Sequence, residues 1–385
     1  MDLTVYTVAT FIAAFLLTVG LIPALRSPAQ RLGLVDQPCH RKRHEGQVPL
    51  TGGLAMYFAF ILALSFQWVW LPSLTSLLLG MAVMLAVGVA DDLFDVRPLY
   101  KLFSQILVAT VFVLFSGLEV IHMGQIFGAA IGPTGMGPFS EVFTVACVVF
   151  LINAINMSDG MDGLAGGICF FLLMMLGTVG LMDGADPMLV SACFALGLTV
   201  AGFLLFNIRT PWRRRAGAFM GDAGSMMLGF AIAWLAIALA NTEGGTVYPI
   251  TIAWLLLVPA MDTLAVFFRR ARLGRSPMSA DRSHLHHILH RSGCSRVATV
   301  RIVHGLVLLA GAIGIFGWRL QAPEVLMFAL AALVIVGYML FLARASRFIR
   351  WRHRRRQGEE PPTEGSYAKE KLGSLSDSLS AQRGA

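Results

Sequence analysis

The stretch "VFTVACVVFLINAINMSDGMDGLAGG", residues 142 to 167, decides how the rest of the chain is read. Its first eleven residues are apolar apart from Thr144, and they run straight into Asn153, Asn156, Asp159 and Asp162, spaced three apart. On a helix a step of three residues turns 300°, so these four polar side chains climb one slowly drifting stripe. Gly160 and Gly163 predict that the backbone unwinds inside that stripe. Amides and carboxylates at the end of an oily helix are costly there, and that cost points to function.

Working outward, 56% of the 385 residues are hydrophobic and 14% are charged, a balance that excludes a water-soluble domain of this length. Apolar runs of about 18 to 23 residues, long enough to cross a ~30 Å hydrocarbon core as helix, occur eleven times. They cover roughly 3–25, 49–66, 72–90, 101–118, 138–156, 163–182, 187–206, 223–241, 246–268, 299–318 and 323–343. The expected fold is an all-α polytopic membrane protein of about eleven transmembrane helices. The first run lacks a basic start and a clear cleavage site, so it reads as a span rather than a signal peptide. With the N-terminus outside and the C-terminus in the cytoplasm, Arg319 alone of 30 Lys and Arg residues falls on the outer side. The net charge of +8 is then a property of the cytoplasmic face, suited to membrane lipids or anionic substrates and not specifically to nucleic acid.

The spans form one membrane domain, residues 1–345, followed by a basic juxtamembrane segment, 346–356. The tail, 357–385, is rich in Glu, Ser, Gly and Pro, and its composition predicts disorder. The longest outward loop, 118–137, alternates and then turns on Gly and Pro, as a short hairpin would. Five cysteines, three of them inside spans, read as small apolar fillers rather than a disulfide framework.

Three acidic groups gather at inner span ends. "GVADDLFDVRPLYK" carries Asp91, Asp92 and Asp95, with Lys101 ten residues after Asp91; Lys101 reads either as an interfacial snorkelling lysine or as a phosphate partner. The stretch quoted first carries Asp159 and Asp162, and "AFMGDAGSMMLG" sets Asp222 between Gly221 and Gly224. Carboxylates brought this close repel one another unless a cation joins them. Mg²⁺ is the natural candidate, since it takes hard oxygen ligands from one or two carboxylates plus substrate phosphates. A further inner loop, "RSPMSADRSHLHHILHRSG", holds Arg282, His284, His286 and His287. Zinc ligation and a solvated loop without function both remain open there, but imidazole and guanidinium donors favour an anion-binding loop. Carboxylates for a metal, basic loops for phosphates and a bilayer location together point to phosphoryl transfer between a soluble nucleotide and a membrane lipid.

The segments "GVADDLFD", "NAINMSDGMDGLAGG", "FMGDAGS" and "SPMSADRSHLHH" resemble, in the same order, the signature segments of the polyprenyl-phosphate N-acetylhexosamine-1-phosphate transferases. The resemblance spans about residues 1 to 356, and "DQPCHRKRHEGQVPLTGG" looks like the branch that uses undecaprenyl phosphate and UDP-N-acetylglucosamine. It implies an enzyme of the bacterial cytoplasmic (inner) membrane with a periplasmic N-terminus and an active-site cleft on the cytoplasmic face. It also implies Mg²⁺, with Mn²⁺ as substitute, on Asn156 and Asp222, and catalytic roles among Asp91, Asp92, Asp159 and Asp162. Lys101, Asn153, Arg282, His284, His286 and His287 would bind substrates. Direct attack by the lipid phosphate and a covalent intermediate on Asp159 or Asp162 both stay open, as does a homodimer. The rivals are the same chemistry on another UDP-N-acetyl-deoxyhexosamine or on a UDP-muramoyl-pentapeptide, and, from a different class, an ion-coupled transporter.

Overall fold

The computed structural model describes residues 3–36, 47–66, 72–128, 130–210, 213, 215–242, 245–274 and 284–356. Arg282 and the tail from 357 onward lie outside the described residues. In chain order the helices are α1 (Leu3–Arg31), α2 (Gly52–Leu64), α3 (Pro72–Phe94), α4 (Pro98–Ser116), α5 (Ser140–Ser158), α6 (Leu164–Asp183) and α7 (Pro187–Asn207). They continue as α8 (Gly221–Ala240), α9 (Pro249–Leu255), α10 (Leu257–Arg272), α11 (Leu285–Arg291), α12 (Arg296–Arg319) and α13 (Glu324–Arg356). Two compact units divide the chain, residues 1–338 and 339–385. The described part of the second is the C-terminal half of α13.

Among the described residues, nine helices are long and apolar enough to cross a membrane, and the α9–α10 pair makes a tenth if it is one span. The eleven expected spans therefore need two corrections. The run at 49–66 forms only the 13-residue α2, about 20 Å long at 1.5 Å per residue and short of a bilayer core. The run at 246–268 is bent by 76° between α9 and α10. Pro259 explains the break, because it has no N–H for the Leu255 carbonyl and its ring crowds that carbonyl, so the helix restarts after Leu256. The loop at 118–137 does form a hairpin, with His122 bridged to Gly135, the Met123 N–H on the Thr134 carbonyl and the Thr134 N–H on the Gly124 carbonyl.

At the centre stands α8, apolar on every face and buried almost throughout. A helix that is greasy all round has no outward side, so its neighbours must enclose it. α3 and α5 line it along their lengths, with α2 and α6 beside them. Lipid offers no hydrophobic drive between helices, so close approach through small residues has to do the holding. Gly88 of α3 lies against the Ala223 backbone, Gly53 of α2 against Gly224, and Gly229 of α8 against Ile152 of α5. Phe112 of α4 packs its ring edge-on against Phe230 and at a tilt against Trp234, both on α8.

A methyl group at residue 88 would collide with the Ala223 and Asp222 backbone, which cannot rotate aside. Gly88→Ala is expected to cost about 1–3 kcal/mol through overpacking, read as a lower Tm in detergent. Gly20→Ala, on α1 with open space around it, is expected to leave Tm unchanged or slightly raised.

Candidate active site

One end of the bundle carries the polar residues, and the head of α8 organises them. Gly221 adopts φ 71°, which lets the chain enter α8 tightly packed against α3. There Asp92 accepts the backbone N–H of Asp222 on Oδ1 at 3.0 Å and that of Ala223 on Oδ2 at 3.2 Å. A carboxylate across a helix N-terminus satisfies orphan amides and complements the helix dipole. Both oxygens of Asp92 are therefore engaged in holding Asp222 in place.

Asp222 then meets residues from two other helices. Lys101 Nζ, in the first turn of α4, donates to Asp91 Oδ2 at 2.7 Å and to Asp222 Oδ2 at 3.2 Å. Asn156 Nδ2, near the end of α5, donates to Asp222 Oδ1 at 3.0 Å and to Ser225 Oγ at 2.9 Å. Asp91 Oδ1 is buried with no hydrogen-bond partner. The ammonium joins the two carboxylates where their repulsion would otherwise be uncompensated. Asp95 stands apart: α3 stops at Phe94, and Asp95, at φ 50°, is exposed.

Among the described residues no three His, Cys, Asp or Glu side chains form a ready metal cage. The donors fit Mg²⁺ in a different way. Asp222, Asp91 and the amide oxygen of Asn156 offer hard oxygen donors of the kind that Mg²⁺ takes, too few to enclose an ion by themselves.

The glycines of the motif read first do unwind the helix. α5 ends at Ser158 and α6 begins after Gly163, whose φ is 80°. Asn207, at the end of α7, accepts the Gly163 N–H at 2.6 Å and donates to the Ala218 carbonyl at 3.0 Å, tying the turn to the approach of α8. Asp162 is paired with Arg209 Nε at 2.5 Å, and Asp159 caps α5 in an exposed position. Asn153 sits deeper, donating to Gln105 Oε1 at 2.6 Å and to the Val149 carbonyl; Gln105 donates in turn to Met226 Sδ. This buried chain of side chains braces α5 against α4 and α8.

The histidine loop reaches the same turn. His284 and His286 are buried, with rings stacked at 11° and centroids 5.8 Å apart, and His287 lies 4.2 Å from His286. His286 packs against Gly160, four residues beyond Asn156, so the turn touches both polar groups. His284 Nδ1 is 2.9 Å from Asp262 Oδ2 on α10. Neither Asn207 nor Asp262 was singled out from the sequence. Asp262 did leave a signal, a lone acid inside an apolar run, whereas a lone Asn at a span end looks like any other cap.

Burial, followed by the neighbouring His287 and His284, lowers the His286 pKa from 6.5 to about 3. The unfolded chain therefore takes up a proton below about 6.5 that the native ring refuses, and this ring's contribution to stability is lost as pH falls through that window. Amide protection across Leu285–Arg291, taken as exchange relative to the intrinsic rate at each pH, is expected to fall between pH 7 and pH 5, and His286→Gln to flatten that dependence. Gly160→Ala drives a methyl into the His286 ring. It is expected to quicken exchange in the same helix at every pH and to cost about 1–3 kcal/mol.

The model of glycosyl transferase family 4 matches residues 74–240, which include Asp91, Asp92, Lys101, Asn156 and Asp222. The chain is 36% identical over 352 residues to the undecaprenyl-phosphate alpha-N-acetylglucosaminyl 1-phosphate transferase of Yersinia pestis, covering 90% of this chain and 95% of that protein. It is 35% identical to the protein of that name from Escherichia coli O157:H7, over 92% of this chain and 98% of the relative. For the Salmonella typhimurium protein the figures are 34%, 91% and 96%. Similarity over nearly the full length of each relative, centred on helices that carry this polar cluster, places the chain in glycosyl transferase family 4, among the undecaprenyl-phosphate alpha-N-acetylglucosaminyl 1-phosphate transferases.

Proposed function

We propose that this protein transfers N-acetylglucosamine 1-phosphate from UDP-N-acetylglucosamine to undecaprenyl phosphate. The products are UMP and undecaprenyl-pyrophosphoryl-N-acetylglucosamine, the first lipid-linked intermediate of O-antigen or a related surface polysaccharide. The names of the relatives support this reading, and one observation carries it: Lys101 between Asp91 and Asp222, with Asn156 on Asp222, at the polar end of an apolar bundle. The Lys and Arg pattern favours the cytoplasmic side of a bacterial inner membrane for that end, where UDP-sugars are found.

An oxygen of the lipid phosphate attacks the sugar-bearing phosphorus, the P–O bond to UMP breaks, and the sugar C1–O bond stays intact. Two mutually repelling anions must be aligned, so positioning and charge neutralisation supply most of the catalysis. Lys101 offers its ammonium to the phosphates, and Asp91 orients Lys101 and receives a proton when the acceptor still carries one. Asp92 keeps Asp222 at the head of α8. Asp222 and Asn156 would hold Mg²⁺, which when bound would neutralise pyrophosphate charge and stabilise the departing phosphate. His284, His286, His287 and Arg282 hold the nucleotide-sugar. The pairing of Asp162 with Arg209 favours a scaffold role over that of nucleophile, since a committed ion pair weakens a carboxylate's attack.

Purified protein with undecaprenyl phosphate, Mg²⁺ and a panel of UDP-sugars tests the reading through UMP release and lipid product. Turnover is expected with UDP-N-acetylglucosamine. Asp222→Asn and Asn156→Ala are each expected to lower it about 10²–10³-fold. No turnover with UDP-N-acetylglucosamine, or wild-type rates in both variants, would overturn the assignment. A sugar-phosphoryl-enzyme trapped with donor alone would replace direct attack by a covalent route.

A further inference from the structure

Two buried acids, Asp262 and Glu324, take no part in the transfer just described. Asp262 lies on α10 beyond the 76° bend, 8% exposed, beside a His284 that is 4% exposed. Three donors converge on its carboxylate. Oδ1 accepts the Leu285 N–H at 2.9 Å and the Tyr338 hydroxyl at 2.5 Å, while Oδ2 faces His284 Nδ1 at 2.9 Å. A carboxylate receiving three donors on two oxygens acts as an acceptor at each contact. The proton shared with the imidazole therefore belongs to His284 Nδ1, in the neutral and the charged ring alike. Nε2 is left as the outward nitrogen, and it makes no hydrogen bond among the described residues.

We infer that Asp262 and Tyr338 are positioning residues for His284: they hold its Nδ1–H and its aim so that, in the charged ring, the Nε2–H is the donor offered to a pyrophosphate oxygen of a nucleotide-sugar. The inference rests on the histidine loop being the donor site. The same carboxylate also holds the Leu285 amide, so it sets the start of α11 and the direction of the ring together. A histidine whose second nitrogen is tied to a carboxylate is the usual way in which a protein fixes which nitrogen faces the ligand. Tyr338 comes from α13, which makes the last span of the first unit part of the donor site's support.

Asp262→Asn keeps the shape and the acceptor for Leu285 and Tyr338, but it turns an NH₂ toward Nδ1, so that this nitrogen must accept and the ring is held neutral, and the Nε2–H loses the charge that strengthens its bond to a phosphate oxygen. Tyr338→Phe removes one donor and no volume to speak of. Full-length protein in nanodiscs, with undecaprenyl phosphate and UDP-N-acetylglucosamine varied separately, gives kcat and a KM for each substrate. Asp262→Asn is expected to lower kcat/KM for the nucleotide-sugar by about 10- to 100-fold, with the KM for the lipid phosphate unchanged. Tyr338→Phe should act in the same direction by about 2- to 10-fold, and it carries the test if Asp262→Asn fails to fold. Asp262→Asn combined with His284→Ala should be no slower than His284→Ala alone. Multiplying effects in that pair, or equal changes in both KM values, would overturn the inference. If His284→Ala leaves both donor parameters at wild-type values, the donor-site reading of the loop falls. If His284→Ala impairs donor use while Asp262→Asn and Tyr338→Phe do not, the positioning role alone falls.

Discussion

The carboxylate of Asp92 on the second and third amides of α8 is the contact around which the polar end of this protein is arranged. A helix start buried inside a membrane bundle has N–H groups that neither lipid nor its own backbone can satisfy. Charge-assisted hydrogen bonds of this kind contribute about 1.5–3 kcal/mol each. They also fix the register of α3 against α8, so that Asp91 and Asp222 face the same Lys101. Gly88, one turn earlier on α3, lets the two backbones close to the distance at which those bonds form.

Charge balance follows from that register. Asp91 is nearly buried, and Asp222 sits beside it with Lys101 reaching both. Removing one partner of such a group leaves an uncompensated charge, which costs far more than the pair contributes net. The arrangement is thus poised: two acids, one ammonium and an amide whose oxygen is a neutral ligand. An incoming phosphate or a divalent ion would alter that balance, as expected of groups that must meet anions rather than merely stabilise a fold.

The α5–α6 turn couples the two halves of the site. Asn156 on one side of it touches Asp222, and Gly160 on the other touches His286. Asn207 holds the turn from behind through Gly163 and ties it to the segment that leads into α8. Only a few residues of chain therefore separate the contact with the histidine loop at Gly160 from the contact of Asn156 with Asp222. The bend at Pro259 serves the same end, because it brings Asp262 under His284 where a straight span would continue along the bundle.

Much of this was legible in the chain alone. Hydropathy over 18 to 23 residues sets the helices, because backbone groups in lipid have no alternative partner. Acids at span ends beside basic loops marked Asp91 and Asp222, the family resemblance added Asn156, and the glycines of "SDGMDG" marked the break between α5 and α6. Hydropathy does not show that α2 stops short of a full span or that the run at 246–268 is bent between α9 and α10, since a hydropathy window measures greasiness and not where a helix stops. What the sequence by itself determined was which residues are too polar to sit in lipid without a reason. Only the tertiary structure decided how each one is used: Asp92 as a helix cap, Asn153 as a brace with Gln105, Asp162 as the partner of Arg209 and Asp262 as the seat of His284. The physical reason is that a carboxylate's role depends on which donors reach it, and those donors lie between 22 and 131 residues away along the chain.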